Sequence, residues 1–161
     1  MAEVLITLGI IGVVAALTLP SIITRYQKKE AAVRLKQSYT ILTQAIQMSE
    51  LENGPLNQWE FEYTPSGTET TKIFVEKYLT PYIKTIKKVN QKTSATPYEY
   101  YYIHDNQLVS GGGHTHYSIA LANGTYLHFN GNYNISNKID VRIDINGKKG
   151  PNIIGRDTFF C

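Results

Sequence analysis

The chain has 161 residues, of which 42% are hydrophobic and 18% charged, and a formal net charge of +3. That length suits one domain plus a tail or anchor, and the mild, scattered positive charge is not the signature of a nucleic-acid binder. The only cysteine is Cys161, so an intrachain disulfide is excluded and the compartment cannot be read from cysteine usage.

The chain opens MAEVLITLGIIGVVAALTLPSII: one acid, Glu3, then no charge over residues 4–24, then Arg25, Lys28 and Lys29. Twenty-one helical residues rise about 32 Å, enough for the hydrocarbon core of a bilayer. The segment is apolar on every side, which buried helices of soluble domains rarely are. A secretory signal accounts poorly for it, because the flank before the apolar run is acidic rather than basic. An ordinary transmembrane anchor leaves Glu3 unexplained. It also puts Arg25, Lys28, Lys29, Arg34 and Lys36 after the span, which by the positive-inside rule would hold the rest of the chain in the cytoplasm.

The stretch AEVLITLGIIGVVAALTLP resembles the N-terminus of type IV pilins and type II secretion pseudopilins. The resemblance is specific over residues 2–20 and fades along the following helix. In that family a basic leader precedes a cleavage site, and the mature chain begins Phe-Thr, then Leu or Met, then Ala-Glu-Val. Met1 then corresponds to the third mature residue; an internal start codon or a truncation would remove the leader, the cleavage glycine and two residues. The leader would also ease the topology conflict. The resemblance implies that Glu3 pairs with the N-terminal amine of a neighbouring subunit, neutralising both charges in an apolar filament core and fixing register; a carboxylate at this depth otherwise costs about 2.5–3.5 kcal/mol. Pro20 removes a backbone hydrogen bond, and a kink or a locally melted stretch over residues 16–20 is expected. Gly9 and Gly12 add backbone freedom and let helices approach closely.

Residues 27–54, QKKEAAVRLKQSYTILTQAIQMSELENG, continue the helix. Ala32, Leu35, Tyr39, Leu42 and Ile46 fall at spacings of three and four, one apolar stripe, and Gly54-Pro55 ends it. Residues 3–52 thus read as one helix about 75 Å long, apolar all round in its first half and amphipathic in its second. Three regions follow: residues 1–24 as membrane or filament-core helix, 25–52 as its amphipathic continuation, and 53–161 as a globular head.

Residues 53–70 are rich in turn formers and aromatics. A second helix is expected over residues 71–88, with Pro81 breaking or kinking it. Residues 89–97 read as a linker. The period then changes to two. Residues 98–104 (YEYYYIH) form a strand. Residues 116–130 form two strands about Asn123-Gly124, a strong hairpin signal. Residues 138–147 alternate Ile139, Val141, Ile143 and Ile145 with polar positions, and 155–160 supply a last short strand. Helices first and antiparallel strands after is an α+β order. The expected fold is pilin-like, with the apolar half of the long helix protruding and the amphipathic half packed on the sheet.

The chemical constellations are thin. His114, His116 and His128 could meet across the hairpin and bind zinc, but exposed strand-edge histidines are the default. GGG at 111–113 lacks the strand–helix context of a phosphate loop and reads as a turn. Asp144, Asn146, Asn152 and Asp157 read as a structural turn whose oxygens hydrogen-bond backbone amides. Calcium ligation is the alternative, opposed by Lys148 and Lys149. Residues 144–157 also look like the C-terminal turn of a pseudopilin-like subgroup, and calcium has precedent in major pseudopilins. No catalytic residues and no other cofactor are expected. The expected function is a structural subunit of a type IV pilus-like or type II secretion pseudopilus filament, held in the bacterial inner membrane until assembly into a periplasmic or cell-surface filament. The resemblance implies as partners other copies and related pilins, a leader peptidase that also methylates the new amine, an assembly ATPase and a membrane platform. The alternative is a membrane-tethered binding protein, a minor-pilin-type adhesin or DNA-uptake component, whose head uses Tyr98, Tyr100, Tyr101 and Tyr102 to stack on a surface, DNA or sugar.

Overall fold

The computed structural model describes residues 2–90, 101–102, 116–132, 138–147, 149 and 152–161, with backbone alone at 85–90, 101–102, 116 and 132. Helix α1 runs over Ala2–Asn53 and contains Pro20. The chain divides into two compact units, Met1–Val33 and Arg34–Cys161, so the break falls inside α1 and nine residues beyond the last residue of the uncharged span.

The first unit is helix. Thr7, Thr18, Ser21 and Thr24 donate their hydroxyls to the carbonyls of Val4, Val14, Thr18 and Pro20 at 2.8–2.9 Å. These four hydroxyls therefore spend their protons on their own helix, which suits an apolar surrounding. The helix continues through Pro20 without a melted turn. A proline in a helix interior both removes the N–H that would reach back to residue 16 and crowds that carbonyl, at a cost of about 3 kcal/mol.

In the second unit, residues 34–53 of α1 pack through Ser38, Leu42, Ala45 and Ser49, the buried residues of the helix. Their spacing of four, three and four gives a single stripe, offset from the apolar stripe expected from the sequence. Of that set only Leu42 is buried; Tyr39 is 55% exposed. Small side chains let the helix lie close to what it covers. The serines are buried at little cost because Ser38 donates to the Arg34 carbonyl at 2.9 Å and Ser49 accepts from the Asn53 amide at 3.1 Å. Gly54, at φ +80°, ends the helix in the left-handed conformation that favours glycine.

Residues 54–64 are fastened by aromatics. The Trp59 indole donates to the Gly54 carbonyl at 2.8 Å and stacks on Tyr78 at 4.6 Å, while Phe61 stacks on Phe74 at 4.4 Å. Both partners lie on α2, Gly67–Tyr78. A 3₁₀ turn, Thr80–Tyr82, follows at Pro81. The expected helix over 71–88 therefore starts four residues earlier and stops at Tyr78, and Thr85–Asn90 is strand β1 instead. Ile83 and Ile86 fit a helical period, but Pro81 cannot continue the helix and pairing with the sheet satisfies the backbone beyond it.

The remaining strands are β2 (Tyr101–Tyr102), β3 (His116–Leu121), β4 (Tyr126–Asn132), β5 (Lys138–Asp144), β6 (Ile153–Ile154) and β7 (Thr158–Phe160). The sheet order is β1-β3-β4-β5-β7-β6-β2. Pairing is antiparallel from β1 to β7 and parallel at β6–β7 and β2–β6. The architecture is α+β, a long N-terminal helix packed against a mostly antiparallel sheet. The hairpin forms as expected, through a three-residue loop: Gly124 (φ +83°) donates to the Leu121 carbonyl, and Asn123 Oδ1 accepts from Thr125 N–H at 3.0 Å. In register, Ile119, Leu127 and Ile143 line one face beside Tyr117 and Phe129, all essentially buried. Helix α2 covers β3 and β4 on this side, and the Tyr117 hydroxyl donates to Glu76 Oε1 at 2.8 Å. Residues 34–53 reach the sheet's end loops: Arg34 Nη1 donates to the Ile145 carbonyl at 3.3 Å, and the Asn123 amide donates to Gln37 Oε1 at 3.3 Å.

Removing residues 1–24 takes away no side chain of the Arg34–Cys161 unit. Residues 25–161 should therefore be a soluble monomer with a mixed helix–strand circular dichroism spectrum and a cooperative melt. An aggregated or non-cooperative product would mean that the apolar segment belongs to the core of the head.

Candidate functional site

Two places hold the residues singled out by the sequence. The first is the apolar helix. Glu3 lies in the first turn of α1, where a carboxylate complements the positive end of the helix dipole. Twelve large aliphatic side chains from Val4 to Ile23 are 52–75% exposed. An 18-residue window reaches a mean hydropathy of 2.3, none of it buried, and the helix is long and apolar enough to cross a membrane. A Cβ added to Gly9 or Gly12 would meet nothing within 4 Å. Among the described residues no contact therefore requires glycine there, although glycine in a helix interior costs about 0.8–1 kcal/mol relative to alanine.

The second place is the turn after β5. All four oxygen-bearing residues named from the sequence converge on it. Asp144 Oδ1 accepts the N–H groups of Asn146 and Gly147 at 3.1 and 2.8 Å. Asp157 Oδ2 accepts the Asn146 amide and the Asn152 N–H, both at 3.1 Å, and its Oδ1 accepts the Ile153 N–H. Asn152 has φ +54°, the left-handed region that Asn enters more readily than most residues. Gly147, φ +59°, lies against Tyr126, where an added Cβ would come within 2.8 Å of the ring. Asp157 thus acts as a clasp between the two arms of the turn. Burial raises its carboxyl above the ordinary value, against the lowering pull of the three donors it accepts. As candidate calcium ligands, Asp144 and Asp157 each spend carboxylate capacity on N–H donors, while Asp144 Oδ2 and Asn152 Oδ1 are buried without a hydrogen bond. Lys149 is exposed in the same turn. Among the described residues no group of three His, Cys, Asp or Glu is placed to hold a metal ion.

Beside this turn is an arrangement that the sequence reading missed. His128 is 3% exposed rather than at an open strand edge. Its Nδ1 lies 2.7 Å from Ser118 Oγ, its cross-strand partner, and its Nε2 lies 3.9 Å from Asp144 Oδ2. The Tyr126 ring stacks parallel to the imidazole at 6.0 Å. Burial holds the imidazole below its ordinary pKa; Asp144 pulls the other way and Arg142 adds to the lowering. Ser, His and Asp are the components of a nucleophilic triad, but Ser118 is 1% exposed, so no substrate carbonyl can reach its hydroxyl. The trio links β3, β4 and β5 side by side. The three-residue hairpin loop sets Ser118 opposite His128. His114 lies outside the described residues, as do Tyr98 and Tyr100, and of the GGG turn nothing is described; Tyr101 and Tyr102 are strand β2 and His116 opens β3.

Residues 21–160 match a family described as a family of unknown function (DUF6613). The match begins after the pilin-like stretch and takes in the whole of the second unit except its last residue. No curated protein and no solved structure matches the chain.

The depressed pKa of His128 has a defined sign. Above about pH 6.5 the imidazole is neutral in both folded and unfolded chains and has no effect. As the pH falls from 6.5 toward the lower folded value, the unfolded chain takes up a proton first, and stability is lost. Asp157, with a raised pKa, acts oppositely: its contribution is present below its unfolded pKa and is lost as the pH rises through the folded one. Comparing residues 25–161 with the His128→Gln variant isolates the histidine. The wild type should lose stability relative to the variant below about pH 6.5, with a limiting slope of about 1.4 kcal/mol per pH unit. Parallel pH–stability curves would show that the imidazole is not held neutral by burial.

Proposed function

We propose that this chain, which belongs to the family of unknown function DUF6613, is the structural subunit of a pilin-like filament. The observation that carries the proposal is the change of character along one helix. Over residues 34–53, α1 is packed on the head through a narrow stripe; over residues 4–24 it exposes apolar side chains on all sides. A lipid-embedded anchor that later packs against copies of itself uses both halves. The resemblance of residues 2–20 to the pilin and pseudopilin N-terminus supports the same reading. So do Gly9 and Gly12, whose missing side chains serve no contact among the described residues but allow close approach by another helix.

In this reading the subunit waits in the bacterial inner membrane with its head outside the cytoplasm. A leader peptidase that also methylates the amine, an assembly ATPase and a membrane platform then move it into a pilus-like or secretion-type filament. Glu3 sets register by pairing with the terminal amine of a neighbour, each group neutralising the other in an apolar interior. The C-terminal turn holds the head together through the hydrogen bonds of Asp144, Asn146, Asn152 and Asp157, with calcium ligation by the same oxygens as the alternative.

Glu3→Ala separates assembly from folding, since Glu3 lies in the Met1–Val33 unit and the buried core lies in the Arg34–Cys161 unit. In cells carrying the variant, membrane-inserted subunit should stay at the wild-type level while filaments counted by electron microscopy fall by at least tenfold. Filaments of normal number and length would remove Glu3 from the assembly mechanism.

A further inference from the structure

The chemistry of α1 changes abruptly after residue 24. Residues 4–24 rise about 32 Å, close to the roughly 30 Å of a bilayer's hydrocarbon core. With that span in the hydrocarbon, Arg25, Lys28 and Lys29 fall in the next 8 Å or so along the axis, the depth of the headgroup layer. At 100° per residue the three positions occupy about 100° of the helix circumference, one face rather than a ring. All three are exposed, and among the described residues none is ion-paired. Glu30, the nearest acid in sequence, is displaced about 140° from Arg25 around the helix. Tyr26, 69% exposed, adds the amphipathic ring that settles at membrane–water interfaces.

We propose that Arg25, Lys28 and Lys29 form a docking face for the phosphate groups of anionic phospholipids in the leaflet on the head's side of the membrane. The proposal rests on the reading of residues 4–24 as a membrane span. Its partner is fixed by depth and by charge: three cations with no counter-ion among the described residues, placed where lipid phosphates are densest. Arg25 offers a planar fork of donors to a phosphate, and the two lysines offer point charges on long stems that can follow the headgroup plane. A subunit held in this way exchanges lipid phosphates for protein surroundings when it leaves the bilayer, so the lipid composition bears on how readily it is withdrawn.

The test uses the full chain in nanodiscs of equal phosphatidylcholine and phosphatidylglycerol, with retained lipids counted by native mass spectrometry after ejection. The wild type should retain phosphatidylglycerol over phosphatidylcholine by about fivefold or more, as one favourable kcal/mol per basic residue near a charged surface implies. Arg25→Gln/Lys28→Gln/Lys29→Gln should retain the two lipids in their bulk ratio, and Arg25→Lys/Lys28→Arg/Lys29→Arg should restore the preference. Bulk-ratio retention by the wild type, or an unchanged preference in the glutamine variant, overturns the proposal. Wild type that retains bulk-ratio lipid but forms salt-sensitive dimers would assign the face to an acidic surface of a second copy, which also overturns it. A chain that fails to enter discs of phosphatidylcholine alone would instead overturn the membrane reading, a failure distinct from loss of lipid preference in an inserted chain.

Discussion

Twelve large aliphatic side chains stand exposed over residues 4–23, and that surface constrains everything else. Burying one such side chain is worth about 1.5–3 kcal/mol, so leaving all twelve in water forgoes on the order of 20–35 kcal/mol. A folded domain is held by about 5–15 kcal/mol in total. A helix with that much apolar surface gains most from an apolar surrounding. Lipid and other copies of the same helix are the two surroundings a uniformly apolar helix accepts. In either one the four hydroxyls of the segment must be satisfied internally, as they are, by carbonyls three and four residues back.

The head solves a different problem, which is to keep a helix on a sheet with little apolar surface at the contact. Ser38, Leu42, Ala45 and Ser49 form that contact. A stripe of small residues contributes less transfer energy than a stripe of leucines, but it brings the backbone closer and gains dispersion contacts. Polar clasps supply the rest: Arg34 on the Ile145 carbonyl and Asn123 on Gln37. The aromatic cluster of Trp59, Phe61, Phe74 and Tyr78 fixes residues 54–64 against α2, an excursion that would otherwise have only turn propensities to hold it.

How far the fold could be read from the sequence differs from element to element. The apolar-then-amphipathic helix, the hairpin at Asn123-Gly124 and the alternation of β5 were legible because each rests on a local period or a local turn. The convergence of Asp144, Asn146, Asn152 and Asp157 was legible for the same reason. Strand β1 was not, because Ile83 and Ile86 fit a helical period and only pairing with β3 decides between the two states. The packed stripe of α1 was misplaced because serine does not register as an inward residue until its hydroxyl is seen to be satisfied. His128 escapes a local reading because it counts as an exposed strand-edge histidine until β4 is seen to lie between β3 and β5. A two-residue turn centred on Asn123-Gly124 would set it opposite Ile119, whereas the three-residue loop sets it opposite Ser118. One residue of loop length decides which side chain a histidine meets. The parallel pairing of β6 with β2 and β7 involves two-residue strands, too short to leave any periodic trace.

In the proposed filament, copies of this chain cover one another along residues 4–24. Leu17, 75% exposed, is a position from which a photo-crosslinker would report directly on that surface. With benzoylphenylalanine in place of Leu17, irradiation of cells that assemble the chain should give a ladder of covalent multimers whose junction peptides come from residues 4–24 of a second copy. Monomers bearing only lipid adducts, under conditions where the protein leaves the membrane, would contradict the account.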